Sequence, residues 1–311
     1  MFDTHLLRTL VEFAERGTVV RAAQVLGYTP SAVSQQLAAL TKQAGTPLTR
    51  HVGRGLVLTP AGTALAASAV EVLDAVERAH VAVSQRAPQV QGSVNLAVFQ
   101  SAALALLPGA LDILDQRAPE LRVHVTQVEP EQALKDTWAR DYDVVVAEEY
   151  PHHRAPLYRG LVREDLGKDT IHLCTSHTGI AAHATSVADC ADFAWVMEPA
   201  GTASRHYAEQ ACRTAGFEPD VRYETSDLQA HLALVESGHA VALMTSLLIH
   251  ASGPRVRMVD PSHNGTNAGE RAQRTVFAAM RESSTGEAGI GVLLTALRES
   301  AKSVESGRSL V

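Results

Sequence analysis

Residues 18–42 read TVVRAAQVLGYTPSAVSQQLAALTK, and at helical spacing they give two short helices joined by a tight turn. The first carries Ala22, Ala23 and Leu26 on one face and stops at Gly27, a residue free to take the backbone that a sharp turn needs. Thr29 then offers a hydroxyl N-cap, and Pro30 fills the first helical position, where a missing N–H costs nothing. In the second helix Val33, Leu37 and Leu40 recur at i, i+4 and i+7 as one buried stripe, leaving Ser31, Ser34 and Gln35 on the opposite face. A short polar face on the second helix of such a pair is what the major groove of DNA accepts. Thr29, Pro30, Ser31, Ser34 and Gln35 are the candidate DNA-reading residues.

On the N-terminal side, residues 3–15 form a first helix whose apolar face is Leu6, Leu7, Leu10, Val11 and Ala14, expected to pack behind the pair. On the other side, residues 46–58 hold Pro47, Gly53 and Gly55 around Val57 and Leu58, which reads as a small β wing. Arg50, His51 and Arg54 on it are candidates for phosphate or minor-groove contact.

The run AAQVLGYTPSAVSQQLAAL, followed by GTPL and then GRGLVLTPAG, resembles the DNA-binding domain of the LysR-type transcriptional regulators. Ala22-Ala23, Leu26, Ala32-Val33-Ser34, Gln36, Gly45, Pro47-Leu48, Gly53-Arg54-Gly55, Leu58-Thr59 and Ala61-Gly62 follow the family order without a gap. Arg54 matches a family contact position. The chain departs from the family at Pro30-Ser31, where Gln-Pro is usual, at Gln35, where Arg is frequent, and at Thr41, Thr49 and His51. Gln35 in place of Arg takes one cation off the groove face.

The resemblance implies a winged helix-turn-helix, a long linker helix, and an α/β effector domain of two Rossmann-like lobes laid out like a periplasmic binding protein. The chain has 311 residues, enough for two or three domains, and 46% of them are apolar. No apolar run approaches the ~18 residues of a membrane span. MFDTHLLRTL lacks a basic-then-apolar secretory pattern, so the expected location is the cytoplasm. Residues 1–60 carry six Lys or Arg against three acids, whereas the remainder carries 21 against 31. A mildly basic module on an acidic body suits a protein that brings one end to phosphate.

From Thr59 to about Gln85 the pattern becomes one long helix. Leu65, Ala69, Val72, Val76, Ala79 and Val83 alternate spacings of four and three, a heptad seam that needs a partner helix. In the family this segment pairs two subunits, so a homodimer or homotetramer is expected. Pro88 and Gly92 end the helix and mark a hinge. Beyond it, SVNLAVF, RVHVTQV and DYDVVVAEE read as strands separated by helices, a βαβαβ order implying a parallel sheet. Pro108 falls inside the first of those helices and should break or kink it. A second βα series follows, then a polar stretch over 262–270, the strand RTVFAAM and a last helix near 289–302. The expected domains are 1–60, the linker 61–88, lobe I from 92–160 plus 268–303, and lobe II from 161–267.

Open α/β sheets bind ligands at the carboxyl ends of their strands. Gln100 and Ser101 stand at one such end, with Ser101 as a candidate N-cap; Thr202 and Ser204 stand at a second, and Glu148 and Thr245 end strands. By resemblance, Ser101, Glu148 and the 200–204 loop line an effector cleft, and the six residues are the candidate effector contacts. Plain helix capping is the alternative role for the hydroxyls. Glu148 is equally suited to pairing with an arginine across the cleft. The effector expected there is a small, partly polar organic molecule.

Cys174, Cys190 and Cys212 have no CxxC spacing and read as reduced thiols. His172, His177 and His183, spaced by five and six residues, match no usual metal pattern, so neither metal nor cofactor is expected. GxSxG, GxGxxG after a strand and the P-loop are all missing. The leading reading is a ligand-responsive transcriptional regulator that binds double-stranded DNA at an interrupted palindrome, with RNA polymerase a further partner. The alternatives are a thiol- or redox-sensing regulator of the same architecture and, in another class, an α/β enzyme or a solute-binding protein.

Overall fold

The structure, a computed structural model, describes residues 1–53, 55–86, 89–253, 255–261 and 272–306. Arg54, Pro88 and the 262–270 stretch named above lie outside those residues. The N-terminal module is built from α1 (Thr4–Arg16), α2 (Val19–Leu26) and α3 (Pro30–Ala44). Thr18 and Thr29 cap α2 and α3 by accepting from backbone N–H groups of Arg21 and Ala32. Gly27 ends α2 with φ 67°, a conformation that residues with a Cβ rarely adopt. Leu7, Leu10, Phe13, Ala22, Val33, Leu37 and Leu40 meet in one core.

Strands β1 (Thr49–Val52) and β2 (Gly55–Leu58) pair antiparallel as the wing. Thr59 fastens it to α4 (Pro60–Ser84): its hydroxyl donates to Pro47 O and accepts from Gly62 N. Gly62 is where α4 and the wing approach most closely. A Cβ there would lie 2.0 Å from Leu48 O and 3.1 Å from Leu58 Cδ2. Backbone cannot move aside as a side chain can. Gly62→Ala should therefore cost at least the upper end of the roughly 1–3 kcal/mol usual for overpacking. Urea unfolding of the full chain, followed at the N-terminal transition, checks this; a midpoint equal to the unmutated chain's would show that the wing can shift freely.

The effector domain opens with β3 (Gln91–Val98), α5 (Gln100–Arg117), β4 (Glu120–Gln127), α6 (Pro130–Trp138) and β5 (Val144–Glu149). Then come β6 (Leu161–Thr175), β7 (Ala194–Met197), α7 (Ala203–Thr214), β8 (Asp220–Glu224), α8 (Leu228–Glu236), β9 (Ala242–Thr245) and α9 (Ser246–Ser252). Strand β10 (Arg257–Val259), β11 (Gln273–Arg281) and α10 (Ala288–Glu305) complete it. Strand β3 pairs parallel with β4 and β5, but β11 runs antiparallel between β5 and β6, so the expected all-parallel sheet is in fact mixed. The chain returns to lobe I from lobe II, and the returning strand enters from the opposite end.

Strand β6 corrects the lobe boundary. Residues 161–170, assigned above to lobe II, pair with β11 in lobe I. Only Ile171–Thr175 belong with β9 and β10, so one continuous strand threads both lobes. The lobes have separate cores: Leu96, Leu106, Val146 and Leu297 pack in the first, Trp195, Cys212 and Val241 in the second. Helix α5 runs on through Pro108, so the expected break does not occur. Both Pro108 and Leu104, whose carbonyl the proline leaves without its helical donor, lie on the exposed face, so that carbonyl is not buried without a partner.

Candidate DNA-reading face and effector cleft

On α3 the buried stripe fixes what the other side can present. Val33, Leu37 and Leu40 are buried, while Thr29, Pro30, Ser31, Ser34 and Gln35 are all exposed together along the N-terminal half of the helix. Ser34 donates its hydroxyl proton to Pro30 O, 3.0 Å away, so it meets a partner chiefly as an acceptor. Gln36 is turned inward, accepting from Thr9. Arg50 and His51 are exposed on β1.

Helix α4 divides its surface three ways. Ala66, Ala69 and Leu73 are buried in the N-terminal core and Leu65 packs against it. The heptad reading therefore fails for its first two positions: Ala69 is only 1% exposed, because α1 already occupies that face. Asp74, Glu77 and Gln85 face the effector domain, where they meet Arg140, Arg281 and Gly286 O. Glu77 is pushed down to about 2: burial opposes this, but the Arg281 and Arg140 guanidiniums and the Ser283 hydroxyl outweigh it. Val72, Val76, Ala79 and Val83 face neither domain and are exposed.

The cleft is organised by a residue that no local sequence pattern singles out. Arg274, near the start of β11, is 3% exposed and donates in every direction. Its Nε and Nη2 reach Asp169 at 2.9 and 2.7 Å, Nη1 reaches Glu148 and Tyr150, and Nη2 reaches Ser101 Oγ at 2.7 Å and Thr245 Oγ1 at 3.0 Å. Its guanidinium also lies over the Phe99 ring, 4.9 Å from the centroid. Ser101 is thus in the first turn of α5 with its oxygen held by Arg274; the residue at the N-cap is Phe99, so the capping role expected of Ser101 does not hold. Burial pushes Glu148 up to about 8, against the pull of Arg274.

A cavity of about 40 Å³ adjoins this cluster, lined by Ser101, Tyr150, Glu198, Ser204, Thr245 and Arg274 over a floor that includes Met197 and Leu248. Ser204 donates to Glu198 and shares a 3.2 Å contact with Thr202, which caps α7. Gln100 ties the lobes together: its Nε2 donates to Asp227 and its Oε1 accepts from Leu228 N. Of the six candidate contacts, Ser101, Ser204 and Thr245 line the cavity, Glu148 stands behind Arg274, and Gln100 and Thr202 serve structural bonds. All donors of Arg274 are aimed at groups of its own chain. The other polar groups on the cavity wall are hydroxyls and the Glu198 carboxylate.

The three thiols are buried, and burial pushes Cys174, Cys190 and Cys212 each up to about 12. None is a thiolate near neutral pH, the form that reacts with oxidants. His172 Nε2 lies 2.8 Å from Ser246 Oγ, and among the described residues no three His, Cys, Asp or Glu side chains converge as a metal site. No helix among those residues is long and apolar enough to cross a membrane.

Residues 4–63 match the model of the bacterial regulatory helix-turn-helix protein, lysR family, and residues 87–302 that of the LysR substrate binding domain. The chain is 25% identical over 257 residues to the transcriptional dual regulator GltC of Bacillus subtilis, spanning 82% of this chain and 84% of that one. It is 27% identical over 250 residues to the HTH-type transcriptional regulator BudR of Raoultella terrigena, spanning 78% and 84%. A full-length OxyR variant from Pseudomonas aeruginosa shares the fold with a TM-score of 0.68 at 16% identity, over 96% of this chain and 95% of that one. CbnR, a LysR family transcriptional regulator, does so with a TM-score of 0.53 at 19% identity, over 96% and 100%. Two family models, one on each side of the linker helix, on a fold with a helix-turn-helix and two α/β lobes, place this protein in the LysR family of DNA-binding transcriptional regulators.

Proposed function

We propose that two copies of this chain pair along Val72, Val76, Ala79 and Val83 and lay their α3 helices in successive major grooves of an interrupted palindrome, as a dimer or a dimer of dimers. A small, partly polar organic molecule entering between Ser101, Ser204 and Thr245 sets the response, in the cytoplasm and in contact with RNA polymerase. The observation that carries this is the polar face of α3: Thr29, Pro30, Ser31, Ser34 and Gln35 exposed on a helix whose opposite side is fixed in a core. The fold likeness to OxyR favours the thiol-sensing alternative only as architecture, and the burial of all three thiols speaks against it.

Gln35 supplies the test. Its amide offers a donor and an acceptor together, the pattern that matches the N6 and N7 edge of adenine. Gln35→Ala should cost about 1–3 kcal/mol on the specific site and relax preference at one base pair per half-site. Binding to scrambled DNA and the salt slope should hardly change, because no charge is removed. Titration against the region upstream of the protein's own gene, and against a scrambled copy at several salt concentrations, reads both. Equal loss on the two DNAs would make Gln35 a structural or backbone contact.

A further inference from the structure

The N-terminal module and lobe I meet at a junction of ion pairs that shares no residue with the DNA-reading face or the cleft lining. Arg16, at the last turn of α1, donates to Asp136 through Nη1 and to Asp141 through Nη2, both at 2.7 Å, and Arg8 lies 4.0 Å from Asp141. Beside them Arg140 reaches Asp74 and Glu77 of α4, and Arg281 reaches Glu77, Thr137 O and Tyr142 O. Arg140 has φ 76°, a strained conformation for a residue with a Cβ. Among the described residues, the two buried side-chain atoms that lack a hydrogen-bond partner, Arg8 Nε and Glu12 Oε1, are both on the α1 turns that meet this junction. Glu12 is fully buried, and burial with the nearby charge of Asp141 pushes it up to about 7. Held by strong ion pairs yet left with two costly orphans, the junction binds without being fully satisfied.

The same elements reach the cleft. Helix α6 has Asp136 in its last turn and Arg140 and Asp141 just beyond it; its N-cap, Glu129, is close enough to feel the charge of Glu198 on the cavity wall. Strand β11 carries Arg274 in the cleft at one end and Arg281 at the junction at the other. Helix α6 and β11 are packed on one another in lobe I; each has one end toward the cleft, while the other end of α6 meets α1 and that of β11 meets α4.

We propose that the Arg16–Asp136–Asp141 junction is a releasable clasp through which the cleft governs the N-terminal module of its own chain, with α6 and β11 carrying the movement. This takes its purpose from the DNA-reading and effector roles above. Its test uses the protein alone, so failure here and failure of the Gln35 reading are distinguishable. Hydrogen exchange with mass spectrometry on the full-length chain would follow the segments around residues 9–17 and 136–143. Arg16→Ala should raise exchange in both. Asp141→Asn, which leaves the N-terminal module untouched, should do the same and decides the matter if Arg16→Ala does not fold.

Coupling to the cleft is read by Gln100→Ala, which removes the cross-lobe bonds to Asp227 and Leu228 without touching the junction. It should change exchange at residues 9–17 by about fivefold or more, the low end of coupling between distinct sites. In the Gln100→Ala, Arg16→Ala double variant that change at residues 9–17 should vanish. Unchanged exchange at residues 9–17 in both Arg16→Ala and Asp141→Asn would overturn the clasp. A Gln100→Ala effect confined to the cleft would overturn its coupling.

Discussion

Arg274→Met should lower the stability of the effector domain by about 3–5 kcal/mol, the cost of stripping one partner from a buried ion pair. The substitution keeps most of the side chain's volume, so the loss reports charge rather than a cavity. It leaves Asp169 and Glu148 buried without their shared counter-ion, and Ser101, Thr245 and Tyr150 without their donor. Glu148 can shed its charge, since it stands near 8 even beside the arginine. Because that value is raised, the stability Glu148 contributes is full below its ordinary 4.5 and is lost as pH rises through about 8. Removing Arg274, which holds Glu148 down, moves that loss to higher pH. Urea unfolding at pH 7 and pH 9 should therefore show the variant losing more at pH 9, where Glu148 has given up its proton in the unmutated chain but not in the variant, and Glu148→Gln in the same background should recover part of it. A loss below about 1 kcal/mol at both pH values would mean the cluster relaxes or hydrates when the arginine goes.

That cluster also marks where reading the sequence stops working. Val33, Leu37 and Leu40 lie within eight residues, so helical periodicity alone places them in a core, and they are buried there. The partners of Arg274 lie 29, 105, 124, 126 and 173 residues away along the chain. No local pattern encodes such a meeting. The one available signal is a single basic residue near the mouth of the otherwise apolar strand RTVFAAM, a charge that must find partners once the strand is buried.

Strand β6 escapes the sequence for the opposite reason. Its first half, LVREDLGKDT, mixes charges into the pattern because one face is partly open, so it resembles a connection rather than ten residues of ladder. The apolar positions that follow, Ile171, Leu173 and Cys174, resemble the whole strand. In the linker the helix forms as expected, but its pattern does not say what covers each side. A spacing of four and three fits any seam, and periodicity cannot say that α1 already covers the half at Leu65 and Ala69.

The remaining half of that seam carries the other large effect. Val72, Val76 and Val83 are 44%, 38% and 73% exposed, on the one face of α4 that meets neither the N-terminal core nor the effector domain. In a single chain Val76→Asp is a surface change, worth about ±0.5 kcal/mol at most. In a pair built on that face each copy presents the same patch to the other, so two carboxylates enter one apolar seam together. Burying each costs several kcal/mol, with no cation among Val72, Ala79 and Val83 to offset it. The chain should keep its fold and its melting behaviour while light scattering after size exclusion shows monomers. Operator binding should then fall by about 10²–10⁴, the avidity lost when two half-sites are no longer engaged by linked modules. Binding to an isolated half-site should not change, because α3 lies in a different part of the module. If the Val76→Asp chain remains paired and binds the full operator as tightly as before, the exposed row on α4 is solvated surface and the subunits are joined elsewhere.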